Sequence, residues 1–389
     1  MKVLFILSSS SMSGGSSISF LSYILKMRER DIDIVCTCPC KGPVYEQLLN
    51  ANIETHIIPV RWNIYPESSN WKQKATLPFK LIGHYLINKQ YEKRLLKLCK
   101  IINPDIIYTN VSVINIGYNV AQRLKIPHVY HIREFQDLDF NMKIIPSKKS
   151  FLNKLRTCYS ICITRSIQQH YQLQDFEKSI VIYNGIRDIK KQISKTDKRK
   201  VFLFVGRLER KKGIVEVLSA FNKFLQYRQD YKLRVCGEAM SKSMQQYIKE
   251  FCSTNNLDKH IEFLGVRNDV DELMQESYAL IMASHFEGLG RVTAEAMFNN
   301  CLVIGKDSAG TKEQFDNGLN LTGNEIAIRW NSEEDLVQKM LEATQMKRDK
   351  YEQMCLSAFN TVNKLYTTEE CANSIYKFLN DIASKSNNA

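Results

Sequence analysis

The 389-residue sequence contains no apolar run that approaches the roughly 18 residues needed to cross a bilayer as a helix. It shows no convincing secretory signal, because the apolar core near its start extends only from Val3 to Leu7 and no small-x-small cleavage pattern follows. No cysteine spacing is typical of a zinc site, since Cys36, Cys38 and Cys40 lack a second cluster. These absences predict a cytoplasmic protein whose eleven cysteines are buried thiols.

Acidic side chains are scarce in the first half of the chain. Residues 1–190 contain 26 Lys and Arg against 14 Asp and Glu, a balance of +12, whereas residues 191–389 contain 28 against 27, a balance of +1. Residues 77–102 can be written as a basic helix with an apolar face formed by Leu81, Tyr85, Leu95, Leu96 and Cys99. This pattern indicates either peripheral binding to the anionic inner face of the cell membrane or an ordinary surface helix. The sequence leaves both interpretations open, and we expect no nucleic-acid partner.

Strand and helix patterns alternate along the whole chain, which predicts an α/β fold with two doubly wound parallel sheets. We expect a first domain over 1–188 that also includes the helix at 367–389, and a second domain over 189–366. The polar range 185–200 is the predicted linker. The predicted strands are Val3–Leu7, Ile32–Thr37, Ile57–Val60, Ile106–Thr109, Val129–Ile132, Val201–Val205, Lys232–Cys236, Ile261–Leu264, Ala279–Ala283 and Leu302–Gly305.

A glycine-bearing turn joins a predicted strand, Ala279–Ala283, to a predicted helix that begins near Val292. The turn contains Glu287, Gly288, Leu289 and Gly290, and Glu295 follows after seven intervening residues. A turn of this kind presents free backbone N–H groups and the positive end of a helix dipole, which favours an anionic ligand. The third glycine of the dinucleotide-binding fingerprint is absent, because Thr293 stands there.

A second glycine-bearing loop follows the strand Val201–Val205. Gly206 ends the strand, and Arg207 and Lys212 bracket the loop that leads to Gly213 and a helix. Arg offers a planar fork of donors and Lys a compact charge, so the pair suits a phosphate group. The alternative is a solvated basic loop, and we assign that role to Arg210 and Lys211.

These two elements resemble the Glu-x7-Glu and Gly-Arg-Leu-x-x-x-Lys-Gly signatures of GT-B glycosyltransferases. The resemblance is to the retaining family 4 (glycosyl transferases group 1), which includes many bacterial surface-polysaccharide enzymes. It is strong over 201–318 and looser before. It implies two Rossmann-like domains that face a central cleft, with the C-terminal helix crossing back to the first. It also implies functional residues: Arg207, Lys212 and the backbone of Gly288, Leu289 and Gly290 at the donor diphosphate, Glu295 at the ribose, and Glu287 at the donor sugar.

The resemblance extends to weaker signals in the first domain. Gly14 and Gly15 resemble a Gly-Gly loop that approaches the donor phosphates. Many relatives carry a His-Asp pair at the end of a strand that here reads His128 to Gln136. Spacing favours Arg133 and Glu134 as the counterpart and residue identity favours His131, so all three remain candidate catalytic residues.

The predicted function is therefore hexose transfer with retention, from a nucleotide-diphosphate sugar such as a UDP-sugar to a lipid-linked or surface-glycan acceptor. No metal or other cofactor is expected, because Arg207 and Lys212 would neutralise the leaving group and the three Asp-x-Asp triplets are interpreted as chance. The alternatives are a GT-B sugar-nucleotide epimerase and a catalytically inactive, basic polyanion-binding protein.

Overall fold

The computed structural model describes residues 1–12, 14–66, 71–140, 142–189 and 198–387. The chain forms two compact units, called unit 1 (residues 1–185 and 368–389) and unit 2 (residues 186–367). Residues 190–197 of the predicted linker lie outside the described part of the chain.

The described residues of unit 1 form nine strands. Their bounds are β1 (Lys2–Ile6), β2 (Asp33–Cys38), β3 (Glu54–Ile57), β4 (Ile64–Pro66), β5 (Ile106–Thr109), β6 (His128–Ile132), β7 (Met142–Ile144), β8 (Tyr159–Cys162) and β9 (Ser179–Val181). Seven of them form one parallel sheet with the order β3-β2-β1-β5-β6-β8-β9. Strands β4 and β7 form a separate antiparallel pair.

Eight helices are found in the part of unit 1 that the structure describes. They are α1 (Gly15–Met27), α2 (Pro43–Asn50), α3 (Trp71–Ile102), α4 (Ile116–Leu124), α5 (Asp137–Phe140), α6 (Lys148–Leu155), α7 (Arg165–His170) and α15 (Thr368–Asn387). Helix α15 packs on α1, with Ile375 and Leu379 buried in the same core as Phe20 and Ile24. The prediction that the last helix returns to the first unit is confirmed.

Helix α3 differs from the helix predicted at 77–102. Leu95, Leu98 and Cys99 of the predicted helix are buried, whereas Tyr85 is 59% exposed. Among the residues whose burial is described, the buried positions of α3 lie in its C-terminal half, and the helix packs against α4.

Outside residues 190–197, unit 2 forms six strands and seven α-helices. The strands are β10 (Arg199–Val205), β11 (Lys232–Cys236), β12 (Ile261–Gly265), β13 (Ser277–Met282), β14 (Leu302–Lys306) and β15 (Ile328–Trp330). The helices are α8 (Ile214–Phe224), α9 (Lys242–Thr254), α10 (Val270–Glu276), α11 (Arg291–Phe298), α12 (Ala309–Thr322), α13 (Glu333–Thr344) and α14 (Arg348–Leu365).

The six strands of unit 2 are parallel and have the order β12-β11-β10-β13-β14-β15. In both large sheets, the direction in which successive strands are added reverses beside the first strand, at β1/β5 and at β10/β13. This is the doubly wound topology. The predicted α/β fold class is confirmed. Within the described residues, every helix is too short or too polar to span a bilayer.

Some secondary-structure elements lie at positions that differ from the prediction. The strand expected at Ile57–Val60 lies at Glu54–Ile57, and Tyr159–Cys162, for which no strand was predicted, forms β8. The short strands β4, β7, β9 and β15 were not predicted, since three residues are too few to establish an alternating pattern.

Candidate active site

The two motifs of the second half lie side by side at the carboxyl edge of the unit 2 sheet. One loop follows β10, the other follows β13, and these two strands are paired neighbours at the point where the strand order reverses. Ligands of doubly wound sheets bind at this position, because the diverging loops leave a crevice there.

The loop after β10 contains a single turn of 3-10 helix at Arg210–Lys212, and Gly213 begins α8. Arg207 is exposed and forms an ion pair of 3.0 Å with Glu209. The guanidinium of Arg210 lies over the ring of Tyr247, 5.2 Å from its centroid. The loop therefore holds Arg207 and Lys212 in different surroundings, one open and one partly enclosed.

Lys212 and Glu287 form an ion pair, with Nζ 2.5 Å from Oε1. Their side chains are only 26% and 18% exposed. The sequence motifs assign these residues separate ligands, and the structure joins them directly. A diphosphate that binds Lys212 must therefore compete with the carboxylate of Glu287 or share the ammonium group with it.

The backbones of the loops are in close contact. Gly213 has φ +76°, and a Cβ atom there would lie 2.2 Å from the carbonyl oxygen of Ala283. The N–H of Gly310 donates to the carbonyl of Glu287 at 3.0 Å, which joins the start of α12 to the same loop. Ala309 adopts φ +44° in the left-handed region, where non-glycine residues are strained. It stands where the resembled family has a glycine.

Helix α11 begins at Gly290, whose φ of +80° also lies in the left-handed region. The buried amide of Gln314 donates to the carbonyl of Gly290 at 3.0 Å and so holds the turn. Glu295 lies on α11, about one-fifth exposed, with Oε1 3.4 Å from Nη2 of Arg291. No acidic residue occupies the first turn of α11, so its N-terminal dipole is uncompensated by a carboxylate there.

A cavity of about 290 Å³ opens beside Arg207 at the ends of β10, β11 and β12. Its lining includes Gly206, Arg207, Gly237, Glu238, Val266 and Arg267. Gly237 lets two strand ends approach closely, since a Cβ there would lie 1.9 Å from the carbonyl oxygen of Gly206. Motif reading missed this cavity. Its available signal was a glycine directly after β11 and another at the end of β12.

In unit 1, Gly14 is the residue at which α1 begins. No side chain caps the helix and no acidic residue lies in its first turn, so the backbone N–H groups near Gly14 and Gly15 can donate hydrogen bonds to an anion. This geometry is compatible with the predicted phosphate contact but does not test it.

The three first-domain candidates lie at the end of β6 in a buried polar cluster. His131 is fully buried, and its Nδ1 contacts the hydroxyl of Tyr108 and accepts from Arg133 at 3.1 Å. Burial and the nearby Arg133 charge hold the pKa of His131 well below its ordinary value, so the imidazole is neutral. A fully buried neutral ring favours a packing role.

Arg133 and Glu134 are each 7% exposed and point to different partners. Arg133 donates to the side chains of Asn110 and Asn184, whereas Glu134 accepts from the backbone N–H and hydroxyl of Ser112 at 2.8 and 2.7 Å. Their assignment as catalytic residues stays a prediction.

In the Asp-x-Asp triplet formed by Asp269 and Asp271, both carboxylates have basic or amide partners. Asp269 pairs with Arg267, and Asp271 contacts Arg187 and the amide of Asn299. Among the residues that the structure describes, no group of three or more His, Cys, Asp or Glu side chains could hold a metal ion. All eleven cysteines are free thiols, and only Cys40 is exposed.

Comparison with known proteins addresses the class of enzyme. Residues 185–358 match the family model "Glycosyl transferases group 1". An uncharacterised glycosyltransferase of Methanocaldococcus jannaschii is 24% identical over 315 residues, which cover 72% of this chain and 78% of that protein. CapH of Staphylococcus aureus, a capsular polysaccharide biosynthesis glycosyltransferase, is 24% identical over 308 residues, or 74% and 76% of the two chains. The chain is a glycosyltransferase.

Solved structures support the fold. HepE of Anabaena, crystallised with UDP, superposes with a TM-score of 0.74 at 20% identity, over 98% of this chain and all of HepE. The predicted GT-B fold of this glycosyltransferase is thereby confirmed. The roles of the individual site residues are not tested by these comparisons.

The contact between Gly213 and Ala283 can be tested with two glycine substitutions of similar backbone geometry. Gly265 has φ +65° with no atom within 4 Å of an added Cβ, so Gly265→Ala should cost only the left-handed strain of about 1–2 kcal/mol. Gly213→Ala must also displace Ala283, and we expect it to cost at least about 2 kcal/mol more. Chemical denaturation of unit 2 in the full chain measures both. Equal losses would show that the loops are not in close contact.

Proposed function

We propose that this glycosyltransferase transfers a hexose from a UDP-sugar, with retention of anomeric configuration, to a lipid-linked or surface-glycan acceptor. The observation that carries the proposal is the Lys212–Glu287 ion pair beside Arg207 at the carboxyl edge of the unit 2 sheet. A cation and a carboxylate held together can contact the two parts of a sugar nucleotide that flank the reacting bond.

Lys212 and Arg207 would bind the diphosphate. As the glycosidic bond breaks, the leaving diphosphate gains negative charge, and fixed cations stabilise that charge more in the transition state than in the ground state. The turn Gly288–Gly290 would add backbone N–H donors and the N-terminal dipole of α11. With these groups present, the proposal requires no metal ion.

The cavity beside Arg207 suits the nucleoside. It lies next to a diphosphate bound at Arg207, and it is flanked by the exposed apolar side chains of Val266 and Met240, which are 70% and 58% exposed. A base can be covered by such side chains and recognised by the backbone groups near Gly237. Glu295 would accept hydrogen bonds from the ribose hydroxyls. HepE, also solved with UDP-glucose, supports a uridine nucleotide by analogy of fold.

Glu287 would contact the donor sugar through the oxygen not bound to Lys212. A carboxylate already neutralised by an ammonium group is a weak nucleophile, so we assign it no covalent intermediate. Front-face transfer, in which the leaving group and acceptor share one face of the sugar, is the retaining mechanism that this arrangement supports.

The acceptor proposal draws on CapH and on the outward face of α3. Phe79, Ile82, Tyr85 and Leu86 are 77%, 58%, 59% and 57% exposed. At about 100° per residue they occupy one arc of about 120°, and the exposed Lys93, Lys97 and Lys100 continue that arc along the same helix. An apolar stripe that continues into a basic one is complementary to an anionic lipid surface. We propose that α3 lies on such a membrane, where a lipid-linked acceptor is found.

Removing the diphosphate cations tests the core of the proposal. Arg207→Ala and Lys212→Ala should each lower turnover of a UDP-sugar by about 10²-fold or more, the scale for losing one charge-stabilising donor. Arg210→Ala is the matched control, because its guanidinium lies over Tyr247, and it should have a much smaller effect. Initial rates in excess chelator measure all three. Loss of wild-type activity in chelator, restored by Mg²⁺ or Mn²⁺, would contradict the metal-free proposal.

Substitution of Glu295 and substitution of Glu287 should have different effects on UDP binding and on turnover. Glu295→Gln should weaken UDP and UDP-sugar alike, because a ribose contact acts equally in the ground and transition states. Glu287→Gln should leave UDP affinity unchanged or higher, since Lys212 is released from its ion pair, while transfer falls. Calorimetric titration with UDP, alongside initial rates, distinguishes them. Loss of UDP binding in Glu287→Gln alone would reverse the assigned roles.

The α3 stripe is tested by co-sedimentation with lipid vesicles. Ile82→Ser with Leu86→Ser should reduce binding to vesicles that contain anionic lipid by at least about tenfold, because each buried side chain contributes about 1.5–3 kcal/mol. Ile101→Ser is the control, as this residue is 81% exposed on the same helix but lies outside the arc. Equal binding by both variants, or equal binding of the wild type to purely zwitterionic vesicles, would refute the proposal.

A further inference from the structure

His285 lies where three loops of unit 2 meet. Its backbone N–H donates to the carbonyl of Lys211 at 3.1 Å, in the loop after β10. Its ring Nε2 lies 2.6 Å from Oε1 of Glu216, in the first turn of α8. Its carbonyl accepts from the hydroxyl of Ser308 at 3.2 Å, at the start of α12. One residue therefore contacts all three segments that surround the Lys212–Glu287 pair.

The contacts of His285 run parallel to those of Glu287. His285 contacts Lys211 and Ser308, and Glu287 contacts Lys212 and Gly310, so both residues are joined to the same two neighbouring segments. Phe286, between them, is 55% exposed. The loop is thus held at alternate positions, in the manner of a short extended segment.

Glu216 has little else to hold it. Its Oε2 atom is buried and has no hydrogen-bond partner among the described residues, so the imidazole of His285 provides its side-chain contact. A carboxylate in the first turn of a helix is favoured by the helix dipole, which keeps Glu216 in place as an anchor. Because α8 packs in the core of unit 2, the anchor is rigid relative to β10.

We propose that His285 and Glu216 form a positioning pair that fixes the distance and direction between Lys212 and Glu287. The pair touches no substrate in this proposal, which rests on the proposed function of Lys212 and Glu287. A displacement of catalytic groups by about 1 Å can lower a rate by about 10²-fold, so a rigid link between the two loops has a catalytic effect. Without the link, Lys212 and Glu287 keep their chemistry but lose their fixed geometry.

The test uses the full chain with His285→Phe, Glu216→Gln and the double variant. We expect kcat for the UDP-sugar to fall about tenfold in each single variant, and no further in the double variant, because the two residues act through one contact. UDP affinity should stay within about threefold, since the cavity at Gly237 and Val266 is not held by His285. His285→Gln should recover part of the activity, as its amide can donate to Glu216.

A matched control exists in unit 1. His56 and Glu54 form a pair with the same 2.6 Å distance, and both imidazoles are 38% exposed, so His56→Phe should leave kcat unchanged. Full activity of His285→Phe, or additive losses in the double variant, would overturn the proposal. If the wild type transfers no sugar from UDP-sugars, the proposed function fails instead. Backbone hydrogen exchange over residues 284–290 then still decides, because unchanged exchange in His285→Phe would exclude a positioning pair.

Discussion

The contact on which the active site depends is the approach of Gly213 to the carbonyl of Ala283. No side chain fits between these two backbones, since a Cβ would lie 2.2 Å from that oxygen. The loop after β10 is therefore held against the end of β13, and this places the ammonium group of Lys212 within reach of Glu287. The contact is steric, so it is insensitive to salt and pH, whereas the ion pair that it permits is not.

Under the proposed function, the ion pair changes the relative affinity of the site for the donor and the product. A free nucleoside diphosphate that engages Lys212 leaves the carboxylate of Glu287 without its cation, in surroundings where only 18% of that side chain is exposed. A sugar nucleotide can offer its sugar hydroxyls to Glu287 at the same moment. The site is thereby biased toward the donor over the product, and product release becomes easier for a purely electrostatic reason.

The sequence was sufficient to predict the two parallel sheets, the return of the last helix, the loops that carry Arg207, Lys212 and Glu287, and the helix that carries Glu295. Those features depend on local patterns: apolar runs, glycines at strand ends and charged residues at regular spacing. The ion pair between Lys212 and Glu287 could not be predicted from the sequence. These residues are 75 positions apart and become neighbours only because β10 and β13 are adjacent in the sheet. The cavity beside Arg207 and the contacts of His285 were missed for the same reason, since backbone approach and hydrogen bonding between loops leave no periodic signal. The burial of His131 was also not predicted, because a motif does not distinguish a buried from an exposed histidine at the end of a strand.

The outward face of α3 affects the tendency of the protein to self-associate in solution. Four large apolar side chains at neighbouring positions form a surface that water wets poorly, and such surfaces promote contact between copies in solution. The lysines beyond them repel one another at low ionic strength and lose that effect once the screening length falls to about 10 Å, near 0.1 M salt. Added salt should therefore favour self-association of this basic protein, the reverse of its effect on proteins held together by opposite charges.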